Sequence, residues 1–191
     1  DYGDWKATGE AFGPGPAHGS LPNQMPVSGF LGQGLVNSFY HGDATVGALT
    51  SPDFQITRKY LNFLIGGGNH PGKTCLNLVV AGKTVRTATG RDSEQLLGRS
   101  FDLADFQGKT AHIEIIDEET GGWGHVSVDQ IVLSDRKEET GPASRDIVVE
   151  SRYLNLPVKK GAPKRKMRYV VEDATVREFE IELADGEPGF W

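Results

Sequence analysis

Two glycine-rich loops carry the side chains of this chain best suited to chemistry. One runs Gly66-Gly67-Gly68-Asn69-His70-Pro71-Gly72, the other Thr120-Gly121-Gly122-Trp123-Gly124-His125. Glycine lets a backbone turn tightly and approach other groups closely. Trp and His each offer a flat apolar face with a polar tip. On a rigid frame these residue types suit reversible recognition of a small polar ligand. Covalent chemistry is a poorer match. No Ser stands in a nucleophile-elbow pattern, and Cys75 lies in an apolar run where a thiol reads as a small buried hydrophobe. The Gly66-Gly67-Gly68 run is not read as a phosphate loop. Carboxylates are plentiful, but neither Glu114 with Asp117 nor Glu118 with Glu119 carries the motif of a glycosidase acid pair.

The elements that must position these loops read as strands. Short β-runs are expected at Val46–Ser51, Phe54–Thr57, Tyr60–Ile65, Cys75–Val80, Lys83–Ala88, Ala111–Ile116 and His125–Leu133. Leu61, Phe63 and Ile65 alternate onto one face, while Cys75–Val80 is apolar on both. Ala81-Gly82 is a hairpin turn of the type that needs left-handed backbone. Ser93–Arg99 reads as a short helical turn, and residues 1 to about 44 as mostly loop. Short strands and turns at this spacing predict an all-β sandwich or jelly roll. The charged run Asp135 to Pro142 reads as a boundary. The expected organisation is a β-sandwich over 1–135, a linker over 136–145, and the truncated start of a second β-domain over 146–191. Runs at Asp146–Ser151, Met167–Val171 and Glu178–Leu183 supply its strands. Asp1 without Met, and Trp191 directly after a strand-like run, read as cut ends.

The bulk numbers fit this picture and remove some classes. The 191 residues include 25 Gly and 10 Pro, with 37% hydrophobic residues and a formal net charge of -6. Many short strands joined by turns account for that mix. A mildly acidic surface argues against nucleic acid and anionic membrane as partners. The basic cluster Lys159-Lys160 with Lys164-Arg165-Lys166-Met167-Arg168 reads as a solvated strand or turn face. A single cysteine rules out an intrachain disulfide. No apolar run reaches the about 18 residues needed to span a bilayer.

Three ordered motifs carry a resemblance. They are Gly66 to Cys75, Val85-Arg86-Thr87-Ala88-Thr89-Gly90, and Gly121-Gly122-Trp123-Gly124-His125, with Gly29-Phe30-Leu31-Gly32 and Leu49 to Phe54 upstream. Over most of 1–135 the chain resembles the fructan-binding module found beside bacterial levanases, carbohydrate-binding module family sixty-six. The tail, at Arg152 to Pro163 and Val176 to Ala184, resembles the opening of the β-module that precedes the catalytic propeller in glycoside hydrolase family thirty-two. There Glu172-Asp173-Ala174 replaces the family's Asp-Gly turn. The propeller's Asn-Asp-Pro-Asn type motif is absent from the sequence. The resemblance implies a galactose-binding-like jelly roll that holds fructose units of levan or another fructan. It also implies a secreted or surface parent protein with a linked fructan hydrolase. The reading weighed against it is a structural or protein-interaction β-sandwich that binds no sugar.

A furanose is small and covered in hydroxyls, so its recognition needs donors and acceptors at fixed distances, charged ones most of all. The expected carbohydrate-binding residues are Asp43, Asn69, His70, Arg86, Asp117, Trp123 and His125. Arg86 offers a rigid donor fork and Asp117 an acceptor for paired hydroxyls. Trp123 could stack on a ring, and His41 shares the polar loop of Asp43. Asp129 is a separate case. A carboxylate between Val128 and Ile131 is costly unless paired or metal-bound. Related jelly rolls imply a structural calcium, which Asp129 with Asp4 or Glu10 would bind through hard oxygen ligands. Hydrogen bonding of Asp129 to backbone amides is the other reading.

Overall fold

A computed structural model describes residues 1–138, 147–148, 150–162, 164–171, 174–184 and 188–189, with Lys166 described by its backbone alone. Most of the expected linker over 136–145 lies outside the described residues. So do Asp146 and Val149 of one expected strand, and Glu172 and Asp173 of the expected turn. The chain divides into two compact units, Asp1–Ala143 and Ser144–Trp191.

The first unit contains β1 (Lys6–Gly9), β2 (Val36–Asn37), β3 (Gly47–Thr50), β4 (Phe54–Gln55), β5 (Tyr60–Gly67), β6 (Thr74–Val80), β7 (Lys83–Thr89), β8 (Ser93–Asp102), β9 (Thr110–Asp117) and β10 (Val126–Ser134). A short 3-10 turn covers Ala104–Phe106. One sheet has the order β1-β3-β9-β6-β7, with β4 also beside β9, and the other the order β2-β10-β5-β8. The paired strands are antiparallel. Alternation explains why the sheets stack. Ala111, Ile113 and Ile115 of β9 and Leu76 and Leu78 of β6 point to the same core as Leu61, Phe63 and Ile65 of β5 and Val126 and Val128 of β10. Phe63 and Phe101 meet edge to face at 4.8 Å. Each such buried Val, Leu, Ile or Phe side chain stabilises the fold by about 1.5–3 kcal/mol. The β6–β7 hairpin turns at Ala81 and Gly82 with φ of 50° and 71°, the left-handed pair the sequence predicts.

Two expectations need correction. Ser93–Arg99 is not helical but part of the ten-residue β8, paired to β5. Glu94, Leu96 and Gly98 are buried in alternation. The local helix preference of Glu, Gln and Leu is overridden by strand pairing and by burial of Leu96 and Phe101. The second is Asp146–Ser151, whose described residues Ile147, Val148, Glu150 and Ser151 form no strand. The N-terminal residues also do more than loop. Ala17, Leu21, Val27, Phe30 and Leu35 pack on Leu64 and Leu96 as a second small core, covering the outer face of the β2-β10-β5-β8 sheet.

Register brings many strand ends to one pole of the sandwich. Asp117 stands opposite both Gly47 and Thr74, Thr89 opposite Cys75, Gly67 opposite Val126, and Asn37 opposite Ser127. The loops over 38–46, 68–73, 90–92 and 118–125 therefore emerge together. Both glycine–histidine loops are among them.

The second unit contains the hairpin β11 (Lys164–Val171) and β12 (Ala174–Glu182). Lys164, Lys166 and Arg168 are in register with Glu182, Glu180 and Glu178. Arg168 Nε lies 3.3 Å from Glu178 Oε2. The basic run 164–168 thus lies in a strand whose backbone register sets it against the strand of the three glutamates, and Arg168 with Glu178 forms the kind of cross-strand charge pair that stabilises a hairpin.

Candidate ligand-binding site

The two loops close on each other at the pole. The Gly68 amide donates to the His125 carbonyl at 2.8 Å. His70 Nε2 lies 3.1 Å from the Gly122 carbonyl, a bond it donates in the matching tautomer. A Cβ on Gly68 would collide with the Trp123 carbonyl, so only glycine lets these backbones approach. Lys73 Nζ donates to Glu119 Oε2 at 2.8 Å, while Glu119 Oε1 accepts the amides of Thr120 and Gly121. The hydrogen bond of this pair, reinforced by its charge, raises the Lys73 ammonium and lowers the Glu119 carboxyl. Trp123 sits on the resulting turn with φ 62°, a left-handed backbone that a bulky residue adopts only when held. Its ring lies 5.7 Å from that of His125, nearly parallel at 29°.

Beneath this rim lies a buried ionisable group. His125 is 2% exposed. Its Nδ1 lies 2.7 Å from Asp43 Oδ1 and its Nε2 lies 3.3 and 3.4 Å from the two oxygens of Glu94. Carboxylates accept only, so an imidazolium carrying a proton on each nitrogen satisfies both partners. Burial pushes the His125 pKa down, but the hydrogen bonds and charge of Glu94 and Asp43 outweigh it and the net shift is upward. Phe39 stands edge-on to the same ring at 5.0 Å. Asp117 is wholly buried, and neither of its oxygens has a hydrogen-bond partner of good geometry among the described residues. Desolvation raises its pKa from 3.8 to about 7, against the opposing pull of the nearby Ser38 hydroxyl, the Glu119 amide and the His125 charge.

The expected sugar ligands separate by position. Asp43, Asn69, His70, Asp117, Trp123 and His125 all come to the pole, but not in one role. Asp117 and His125 are interior groups. Asp43 spends one oxygen on His125 and keeps a side chain 32% exposed. Asn69 is exposed; its amide donates to Asp92 Oδ1 and its Oδ1 accepts from Thr89 Oγ1. Arg86 is not brought to the pole. It lies along β7, donates to the carbonyls of Asp102 and Val85, and stands 4.9 Å over the Phe106 ring.

The three proposed calcium ligands do not gather either. Asp129 Oδ2 accepts the Leu31 amide at 2.6 Å and Oδ1 the Gln130 amide at 2.7 Å, which is the backbone-amide reading. Asp4 and Glu10 are exposed on other turns. Among the described residues no group of three or more His, Cys, Asp or Glu side chains is arranged to hold a metal.

Glu94 is the buried partner of His125 that the sequence does not reveal, because its stretch reads locally as helix. As part of β8 it shares the face of Leu96 and Gly98. Gln24 Nε2 donates to Glu94 Oε2 at 3.0 Å. One motif also needs restating. In letters, Gly67-Gly68-Asn69-His70-Pro71-Gly72-Lys73-Thr74 does match the spacing of a phosphate-binding loop. Here it joins antiparallel strands and no helix follows it. Lys73 is paired to Glu119, and the Thr74 hydroxyl donates to the Gly68 carbonyl. The strand–loop–helix context that a phosphate cradle requires is missing.

No family model matches the chain. The chain is 48% identical over 133 residues, 70% of its length, to a protein of Aspergillus rugulosus that bears the name "Putative glycosyl hydrolase ecdE". It spans only about a fifth of that relative, 19% of its length. The matched stretch is thus homologous to one part of a larger protein that carries a glycosyl hydrolase name.

Proposed function

We propose that the first unit is a non-catalytic carbohydrate-binding module for fructose units of levan or a related fructan. In this reading the parent protein is secreted or surface-bound and also carries a fructan-degrading hydrolase. The observation that supports it most is the meeting of both glycine–histidine loops at one pole. There Trp123 offers a half-exposed ring, and His70, Asn69 and Asp43 offer polar groups within reach of solvent. The hydrolase name of the fungal relative is consistent with a carbohydrate ligand. The resemblance to levanase-associated modules supplies the fructan. The full burial of Asp117 and the internal pairing of His125 favour a framework role for those two residues. That is also what a purely structural sandwich would display.

Calorimetric titration of the full chain with levan, inulin, fructose, and xylan as a non-fructan, with calcium and with chelator, tests the reading. Binding to levan that free fructose displaces is the expected result. Trp123→Ala is expected to weaken it at least about tenfold, about 1.4 kcal/mol. A folded chain that binds neither levan nor inulin under either condition would leave the structural sandwich as the better account.

A further inference from the structure

A cleft opens beside the pole, between Leu21–Asn23 and Phe39–Gly42. Both of its walls are tied to the same buried pair. On one side the Leu21 amide donates to Gln24 Oε1 at 3.0 Å, and Gln24 Nε2 donates to Glu94. On the other, Phe39 packs edge-on to His125, the Phe39 amide donates to Asn37 Oδ1, and Asp43 closes on His125 Nδ1. Asn37 Nδ2 donates to Gln24 Oε1 at 2.8 Å and joins the two sides below the cleft. Glu94 and His125 thus fix the separation of the walls, a preorganisation that lowers the cost of binding.

The lining has a definite chemistry. Leu21, Phe39 and Tyr40 are half-buried and Pro22 exposed, giving an apolar floor and side. Asn23 and His41 are exposed on opposite walls with φ of 66° and 69°. Side-chain-bearing residues in this left-handed conformation cost stability that glycine would not. No Lys, Arg, Asp or Glu lines the cleft, so it offers no fixed charge to pair with a phosphate, carboxylate or ammonium group. An apolar surface edged by an amide and an imidazole fits a ring with C–H faces and a hydroxyl rim.

We propose that this cleft is a subsite for one uncharged sugar ring, with Asn23 and His41 as its hydroxyl partners and Glu94 and His125 as positioning residues. The proposal rests on the glycan-binding reading above.

Asn23→Gly and His41→Gly remove the side chains while relieving the backbone, so both variants should melt no lower than the wild-type chain. Titration with levan is expected to show each binding about 3- to 10-fold more weakly, the value of one net hydrogen bond. If wild type binds levan, Trp123→Ala abolishes that binding, and both glycine variants bind like wild type, the subsite is wrong while the module reading stands. If the wild-type chain, folded, binds neither levan nor inulin, both fail together.

Discussion

Asp117→Asn isolates the cost of burying an unpartnered carboxylate beneath the pole. In the folded chain Asp117 is 0% exposed and titrates at about 7, against 3.8 for an unperturbed carboxyl. Its folded pKa is raised, so the folded state holds the proton more tightly than the unfolded state. The stability linked to that proton is fully present below about pH 4. It falls as pH rises between the two values and is gone above about pH 7. The rise from 3.8 to about 7 corresponds to about 4 kcal/mol. Full burial means solvent does not screen the effect away. Asparagine has nearly the same shape and no charge to lose, so the variant lacks this dependence. Urea denaturation of both proteins at steps from pH 4 to pH 8 measures it. The gap between them should shift in favour of Asp117→Asn by about 4 kcal/mol across the range. In thermal melts that is about 10 °C for a unit of this size. Parallel pH profiles for the two proteins would show that Asp117 is not held protonated by burial.

Glu94→Gln removes one of the two carboxylates facing His125 and should lower the imidazole pKa, which NMR titration of the ring reads directly. Because the folded His125 pKa is raised, the stability it contributes is complete below about 6.5 and is lost as pH rises through the folded value. The variant should lose part of that dependence; an unmoved pKa would contradict the pairing. Gly68→Ala drives a methyl into the Trp123 carbonyl and should cost about 1–3 kcal/mol, with the Trp123 fluorescence environment altered. An unchanged melting temperature would show that the loop contact yields freely.

How much of this was legible in the sequence depended on whether the signal was local. The β6–β7 hairpin was, because Ala81-Gly82 specifies its turn and the flanking runs specify strands. So was the alternation of Leu61, Phe63 and Ile65, which fixes a core face without reference to any other strand. Trp123 and the two glycine loops stood out by residue type alone. What pairs with what was not legible. The sequence separation of 82 residues between Asp43 and His125, and of 31 between Glu94 and His125, carries no local signal. That triad forms only when β5 brings β8 and β10 into one sheet and the loop after β2 folds back onto His125. Likewise Arg86 reads as a site residue by type, but sheet register carries it away from the pole toward Asp102 and Phe106. Asp129 reads by its strand context as a carboxylate that needs a partner, and the Leu31 amide that bonds it comes from 98 residues away. Sequence determined the strands that became β3 to β7, β9 and β10, the hairpin turn and the residue types available for recognition, because those depend on backbone preference and periodicity, whereas β1, β2 and β8 needed their sheet partners. Tertiary structure alone decided which polar groups face solvent and which are buried as partners of one another, because burial and pairing are properties of neighbours distant in the chain.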